Sequence, residues 1–174
     1  MVFNGLFKQN ADLEMEPDLV KTFTISDDGL VYTFNLHTNV AWHDGQPLTA
    51  DDVEFTFNTL LDPSTNTVRR GHFMINGNPI LFKAISTHTV QATLPQPYAP
   101  CLSVLEMGIL PKHLLENEDI NTTEFNRNPI GTGPFTFTEW RPDQFIRLKR
   151  NDNYFKTPAK LNGIVMRIIP DTTT

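Results

Sequence analysis

Thr22-Phe23-Thr24-Ile25-Ser26-Asp27-Asp28-Gly29-Leu30-Val31-Tyr32-Thr33-Phe34-Asn35-Leu36 alternates polar and apolar side chains on both sides of an Asp-Asp-Gly turn. A period of two is the signature of a half-buried strand, so the stretch predicts a β-hairpin. Gly29 supplies a positive φ at the turn, and Tyr32, Phe34 and Leu36 fall on one face. Downstream, Leu48-Thr49-Ala50-Asp51-Asp52-Val53 carries a complete helix start. Thr49 is the N-cap, Asp52 can return a hydrogen bond from three residues on, and Leu48 with Val53 forms a hydrophobic staple. Val53, Phe57, Leu60 and Leu61 then make one apolar stripe, and Pro63 ends the helix at Asp62.

Residues 80–94 predict a second strand pair, turning at Ser86-Thr87-His88. Pro95, Pro97 and Pro100 enforce an irregular stretch. Short helices are expected over about 98–105 and 111–116, the second opening with Pro111. Asn117 to Asn128 is polar and predicts a loop. Phe135 to Trp140 and Phe145 to Arg150 alternate around Arg141-Pro142-Asp143-Gln144, a third hairpin. Ile164 to Ile169 is nearly continuously apolar and predicts a central strand covered on both faces. The sum is an α+β, or mixed α/β, chain with hairpins and few short helices. Because the chain ends just after that strand, it is expected to be a piece of a longer protein.

Composition narrows the function classes. At 174 residues, 39% apolar and 20% charged, with thirteen Phe and a net charge of −6, the chain can fold without disulfides or metal and does not read as disordered. No run of 18 apolar residues provides a membrane span. Met1-Val2-Phe3-Asn4-Gly5 has no basic region followed by an apolar stretch, so no signal peptide is read here, which says little about location. The acidic balance, with no cationic cluster longer than Arg69-Arg70, argues against a nucleic-acid partner. Cys101, the one cysteine, sits in an apolar run and reads as a small buried hydrophobe.

Motifs that could carry chemistry are few. Gly131-Thr132-Gly133 precedes Pro134 and a strand, not a helix, so it predicts a tight turn packed closely on a neighbour and not a phosphate cradle. His37, His43, His72, His88 and His113 form no His-x-x-x-His pair. His43-Asp44 predicts a turn, because adjacent strand residues point apart. Asp51, Asp52 and Glu54 are first-turn acids complementing a helix dipole. Arg69-Arg70-Gly71-His72-Phe73 combines cations, a glycine and an aromatic without periodicity; it reads as a ligand-facing loop or a solvated one.

Motif order says more. Glu16-Pro17-Asp18-Leu19-Val20, the Ser26–Leu36 hairpin and Val40-Ala41-Trp42-His43-Asp44-Gly45-Gln46-Pro47-Leu48-Thr49-Ala50-Asp51-Asp52-Val53 occur in sequence. Pro129-Ile130-Gly131-Thr132-Gly133-Pro134-Phe135 and Arg150-Asn151-Asp152-Asn153-Tyr154-Phe155 follow. From about Val2 to Asp171 the chain resembles the extracellular solute-binding proteins of family 5, the oligopeptide, dipeptide and nickel binding proteins of ABC importers.

That resemblance implies a partial N-terminal lobe of a periplasmic-binding-protein type II-like fold. Residues 1–128 would be its accessory subdomain and 129–174 the start of its main sheet, with the second lobe absent. It implies a non-catalytic chain without cofactor or metal. Its ligand-binding positions would be Asn4, Gly5, Arg69, Arg70, Gly71, His72, Phe73, Gly131, Thr132 and Gly133. The ligand would be an oligopeptide or dipeptide, with a nickel chelate, sugar or antibiotic as alternatives. The partners would be an ABC permease and its ATPase, and the full-length protein a monomer, periplasmic or extracellular, with or without a lipid anchor. Half a cleft should bind weakly. Two readings from other classes are a hydrolase using His43 or His72 and a self-contained interaction domain. The exposed edge left by a missing half favours self-association.

Overall fold

The computed structural model describes residues 1–169. The last five residues of the expected main-sheet segment, Asp171 among them, lie outside the described residues. The elements in chain order are β1 (Phe7–Gln9), β2 (Met15–Pro17), β3 (Val20–Ile25), β4 (Val31–Leu36), α1 (Ala50–Leu61), a 3₁₀ turn (Arg70–Phe73), β5 (Met74–Ile75) and β6 (Asn78–Pro79). There follow β7 (Leu81–Ser86), β8 (Thr89–Thr93), α2 (Cys101–Val104), α3 (Lys112–Leu115), a 3₁₀ turn (Glu124–Asn126), β9 (Phe135–Arg141), β10 (Phe145–Arg150) and β11 (Gly163–Arg167).

The two predicted strand pairs of the first half merge into one antiparallel sheet in the order β3-β4-β8-β7. Its register puts Phe23 opposite Phe34, Phe34 opposite Val90 and Val90 opposite Ala84, so one face is apolar across all four strands. The other face is polar, and Thr22, Asn35 and Thr89 are joined across it by side-chain hydrogen bonds of 3.2 Å. Helix α1 packs on the apolar face, where Phe57 stacks on Phe82 at 3.7 Å between centroids and Phe73 closes on both. The helix starts as expected: the Thr49 amide donates to Asp52 Oδ2 at 2.8 Å. It stops at Asp62, which is extended before Pro63. Pro111 caps α3 from outside its first turn.

The last third forms a separate antiparallel sheet in the order β11-β10-β9. Here the expectation for the last strand is overturned. β11 pairs only with β10 among the described residues, and Val165 is half exposed, so it is an edge strand with one face open. Apolarity alone could not distinguish a strand buried on both faces from an edge strand. Trp140, Phe137, Ile146, Leu148, Ile164 and Met166 share one face of this sheet by register. The opposite face carries Glu139 against Arg147 at 2.9 Å.

The N-terminal segment ties the two sheets together. Gly133 donates to the Val2 carbonyl at 2.7 Å and Phe135 to the Met1 carbonyl at 3.2 Å, so residues 1–2 extend the β9 edge. Immediately after, the Asn4 carbonyl accepts from Ile109, the Gly5 carbonyl from Leu19 and the Leu6 carbonyl from Asp18. The short pairs β1–β2 and β5–β6 and the 3₁₀ turn at Arg70–Phe73 are additions that sequence periodicity did not reveal. Two or three residues are too few to show a period.

Candidate functional site

The ten candidate positions fall into two groups. Asn4, Gly5, Gly131, Thr132 and Gly133 come together where the N-terminal segment crosses the turn before β9; all five are buried. A Cβ at Gly131 would overlap the Val2 carbonyl, one at Gly133 the Met1 carbonyl, and one at Gly5 would lie 2.6 Å from the Glu106 carbonyl. These glycines are close-approach residues, as the turn reading expected of Gly131 and Gly133 but not of Gly5.

Asn4 stands at the centre of a buried polar knot. Its Nδ2 donates to Asp18 Oδ2 at 2.7 Å and to the Tyr154 hydroxyl at 3.0 Å. Its Oδ1 accepts from Thr132 Oγ1 at 3.1 Å. Asp18 is itself paired with Lys156 Nζ at 2.5 Å. Burial pushes the Tyr154 hydroxyl above its ordinary value. Every polar atom of the Asn4 amide group therefore has a protein partner, with both Nδ2 hydrogens used. Sequence reading named Asn4 and Thr132 but missed Asp18, Tyr154 and Lys156 as their partners, because contacts 14 to 150 residues apart leave no local pattern.

The second group lies by the C-terminal end of α1. Arg70 Nη2 donates to the carbonyls of Asp62 at 2.6 Å and Thr65 at 2.5 Å, and its Nε donates to Leu60 at 3.3 Å. It thus caps the end of α1, where helix carbonyls lack internal partners. Phe73 is 2% exposed in the core. Gly71 and His72 are exposed. Arg69 alone of this group lines a hollow of about 440 Å³ with Thr56, Thr65, Asn66, Met107 and Asn126. Its guanidinium makes no hydrogen bond or ion pair among the described residues. The loop at 117–128 supplies the far wall, stapled to 64–66 by Asn121. A second hollow, about 380 Å³ and mostly apolar, opens on the β9–β10 face beside Val2 and Phe3, where Arg127 lies 5.6 Å above the Trp140 ring.

His43 and Asp44 diverge: both His43 ring nitrogens bond backbone of the 131–133 turn, while Asp44 meets His113 at 2.8 Å. Burial pushes the Cys101 thiol up to about 11, the behaviour of a core hydrophobe. Among the described residues no three His, Cys, Asp or Glu side chains are grouped to hold a metal ion, and no helix is long and apolar enough to cross a membrane.

The chain is similar to known proteins in sequence and in fold. The family described as bacterial extracellular solute-binding proteins, family 5 Middle, matches residues 14–174. The oligopeptide-binding protein AppA of Bacillus subtilis is 33% identical over 182 residues, which cover 98% of this chain and 32% of that protein. The crystal structure of NikZ from Campylobacter jejuni in complex with Ni(L-His) superposes with a TM-score of 0.90 at 36% identity, over 97% of this chain and 34% of that one. The Bacillus subtilis AppA structure in complex with a nonapeptide gives a TM-score of 0.87 at 32% identity, over 98% of this chain and 34% of that one. The chain spans about a third of the length of the relatives it matches. Its fold is accordingly part of a type II periplasmic-binding-protein architecture, and the chain belongs to the family 5 extracellular solute-binding proteins.

Proposed function

We propose that this chain supplies one wall of the ligand cleft of an ABC importer's solute-binding component. The whole protein captures a small solute, an oligopeptide or dipeptide, between two lobes, closes on it, and delivers it to a membrane permease and its ATPase. Closure follows from the ligand's higher affinity for the closed state. The protein acts outside the cytoplasmic membrane and is a monomer that binds without turnover. Residues 1–128 form the accessory subdomain and residues 129–174 open the main sheet, with Met1 and Val2 lent to that sheet's edge.

The observation that carries the reading is Arg69. Among the described residues it is a cation without a hydrogen-bonded or ion-pair partner at the rim of a polar hollow, in a family whose relatives include proteins named for peptides. A peptide carboxylate is its natural complement, and Thr and Asn side chains around it suit main-chain amides directly or through bridging water. The buried group at Asn4, Gly5 and 131–133 serves the site by fixing the wall. A nickel chelate is the second reading, supported by the likeness to NikZ with its Ni(L-His) ligand. The chelator's carboxylate would meet the same arginine.

In the two-lobed protein, calorimetry with tripeptides bearing free or amidated C-termini tests this. Arg69→Ala should weaken binding of the free acid by about 10- to 100-fold, the value of one charge-assisted hydrogen bond, and leave the amide unchanged. Equal loss for both would remove the arginine from carboxylate recognition. For the 174-residue chain alone, micromolar saturable binding would contradict the one-wall reading.

A further inference from the structure

We propose that His43 is an acid-sensitive clasp: its neutral ring holds the 131–133 turn, and through that turn the N-terminal segment, and protonation releases it. The geometry assigns the ring's tautomer. The Gly131 amide can only donate, and it lies 3.2 Å from Nδ1, so Nδ1 carries no proton. The proton is then on Nε2, which donates to the Gly133 carbonyl at 2.9 Å. A third bond, from the His43 amide to the Gly131 carbonyl at 2.8 Å, fixes the ring's own backbone to the same turn. One imidazole thus spans residues 131 and 133, whose backbone receives Val2 on the far side.

A second proton can go only to Nδ1. It would point at the Gly131 N–H, replacing an attraction by a repulsion inside a half-buried contact. The surroundings offer the cation little. The 131–133 turn has no ionisable side chain. The adjacent loop contributes the neutral Asn151, which donates to the same Gly133 carbonyl at 3.0 Å, and its Asp152 is paired with Arg150 at 2.6 Å. The neighbouring Asp44 favours the cation but is drawn off to His113 of α3 at 2.8 Å. Burial, the largest influence, holds the ring below the ordinary histidine value against the Gly133 bond and Asp44. This role is independent of what the cleft binds.

The sign follows from linkage. A histidine whose folded value is lowered stabilises the fold fully above about pH 6.5, and that contribution is lost as pH falls toward its folded value. Between the two values the unfolding constant rises by up to about tenfold per pH unit. His37 is also lowered, by burial and then by Lys156 and Lys21, so it acts in the same direction and only a variant separates the two.

The test is urea unfolding of the full chain from pH 8 to 5 for wild type and His43→Gln, whose amide offers a donor and an acceptor and does not titrate. The variant should lose that part of the pH dependence, and an unchanged slope would overturn the proposal. If the variant does not fold, nitrogen NMR of wild type decides alone. It should find the Nε2–H tautomer, a titration below 6.5 and a Gly131 amide signal that follows it. An Nδ1–H tautomer, or a titration at or above 6.5, would overturn it.

Discussion

Replacing Asn4 by alanine separates a ligand contact from a structural member. The substitution removes one hydrogen bond to the Asp18 carboxylate, at 2.7 Å, and two neutral ones, to Tyr154 and Thr132. The site is 6% exposed, so water cannot readily replace them. A bond to a charged group contributes about 1.5–3 kcal/mol and a neutral one about 1 kcal/mol, giving a loss of about 3–5 kcal/mol. With an urea slope of about 2 kcal/mol per molar, the unfolding midpoint falls by about 1.5–2.5 M. Asn4→Asp sharpens the test. It keeps the shape but sets a second carboxylate against Asp18, so it should be worse than alanine at pH 7 and regain stability as acid neutralises one of the pair. Urea titration of the three proteins at pH 7 and pH 4.5 gives the answer. A midpoint shift under about 0.25 M for Asn4→Ala, the usual range for free surface sites, would show that the amide is not held by the knot and would return it to the ligand contacts.

Four further outcomes follow from the same geometry. Gly131→Ala and Gly133→Ala should each cost about 1–3 kcal/mol, because the added Cβ meets backbone that cannot rotate away; thermal unfolding measures it. Arg70→Ala should cost about 1–2 kcal/mol through the exposed carbonyls at the end of α1, whereas Arg69→Ala should leave the unfolding free energy within about 0.5 kcal/mol. Phe57→Ala, which empties the stack on Phe82, should cost about 3–5 kcal/mol by chemical denaturation. A second acid transition should set in as pH falls below the ordinary carboxylate values, separate from the histidine one. Burial raises the Asp44 and Glu54 carboxyls, but the bonds from His113 and Gln46 to the first, and from Ala84 and Lys83 to the second, outweigh it and hold both low. Their contribution is present above the ordinary carboxylate value and lost as pH falls through the depressed ones, so a stability curve flat from pH 5 to 2 would contradict it.

What was legible in the sequence depended on range. The Thr22–Leu36 hairpin, the Thr49 cap and the Phe135–Arg150 hairpin are specified by neighbours within about ten residues, and all three stand in the structure. The merging of two hairpins into one sheet depends on β4 meeting β8, more than fifty residues apart, and the sequence reading left the two pairs separate. Gly131-Thr132-Gly133 could be read as a close approach but not as an approach to Val2. Arg69 and Arg70 are indistinguishable as letters, yet one caps a helix and the other faces a hollow. The hollow itself was not foreseen, because its walls come from residues 56–69, 107–110 and 120–126, and no period or motif spans them.

The first six residues are the part on which both sheets depend. Within that span Met1 and Val2 accept from the β9 edge, the Asn4 side chain bonds Asp18, Thr132 and Tyr154, and the carbonyls of residues 4–6 accept from Ile109, Leu19 and Asp18. Leu6 is fully buried. Together these contacts join the helix-covered sheet, the loop before α3 and the second sheet. Deletion of residues 1–5 should therefore not merely fray an end. It uncovers the β9 edge, leaves Asp18 with Lys156 as its one side-chain partner among the described residues, and removes the segment against which Gly131 and Gly133 are packed. The four-stranded sheet keeps its own core of Phe34, Phe57, Phe82 and Val90, so it should stay protected in hydrogen exchange while β9, β10 and β11 lose protection together. Uniform loss across both sheets would mean that they fold as one unit through contacts other than this segment. Unchanged protection of β9 would mean that the pairing at Met1 and Val2 contributes nothing to holding it.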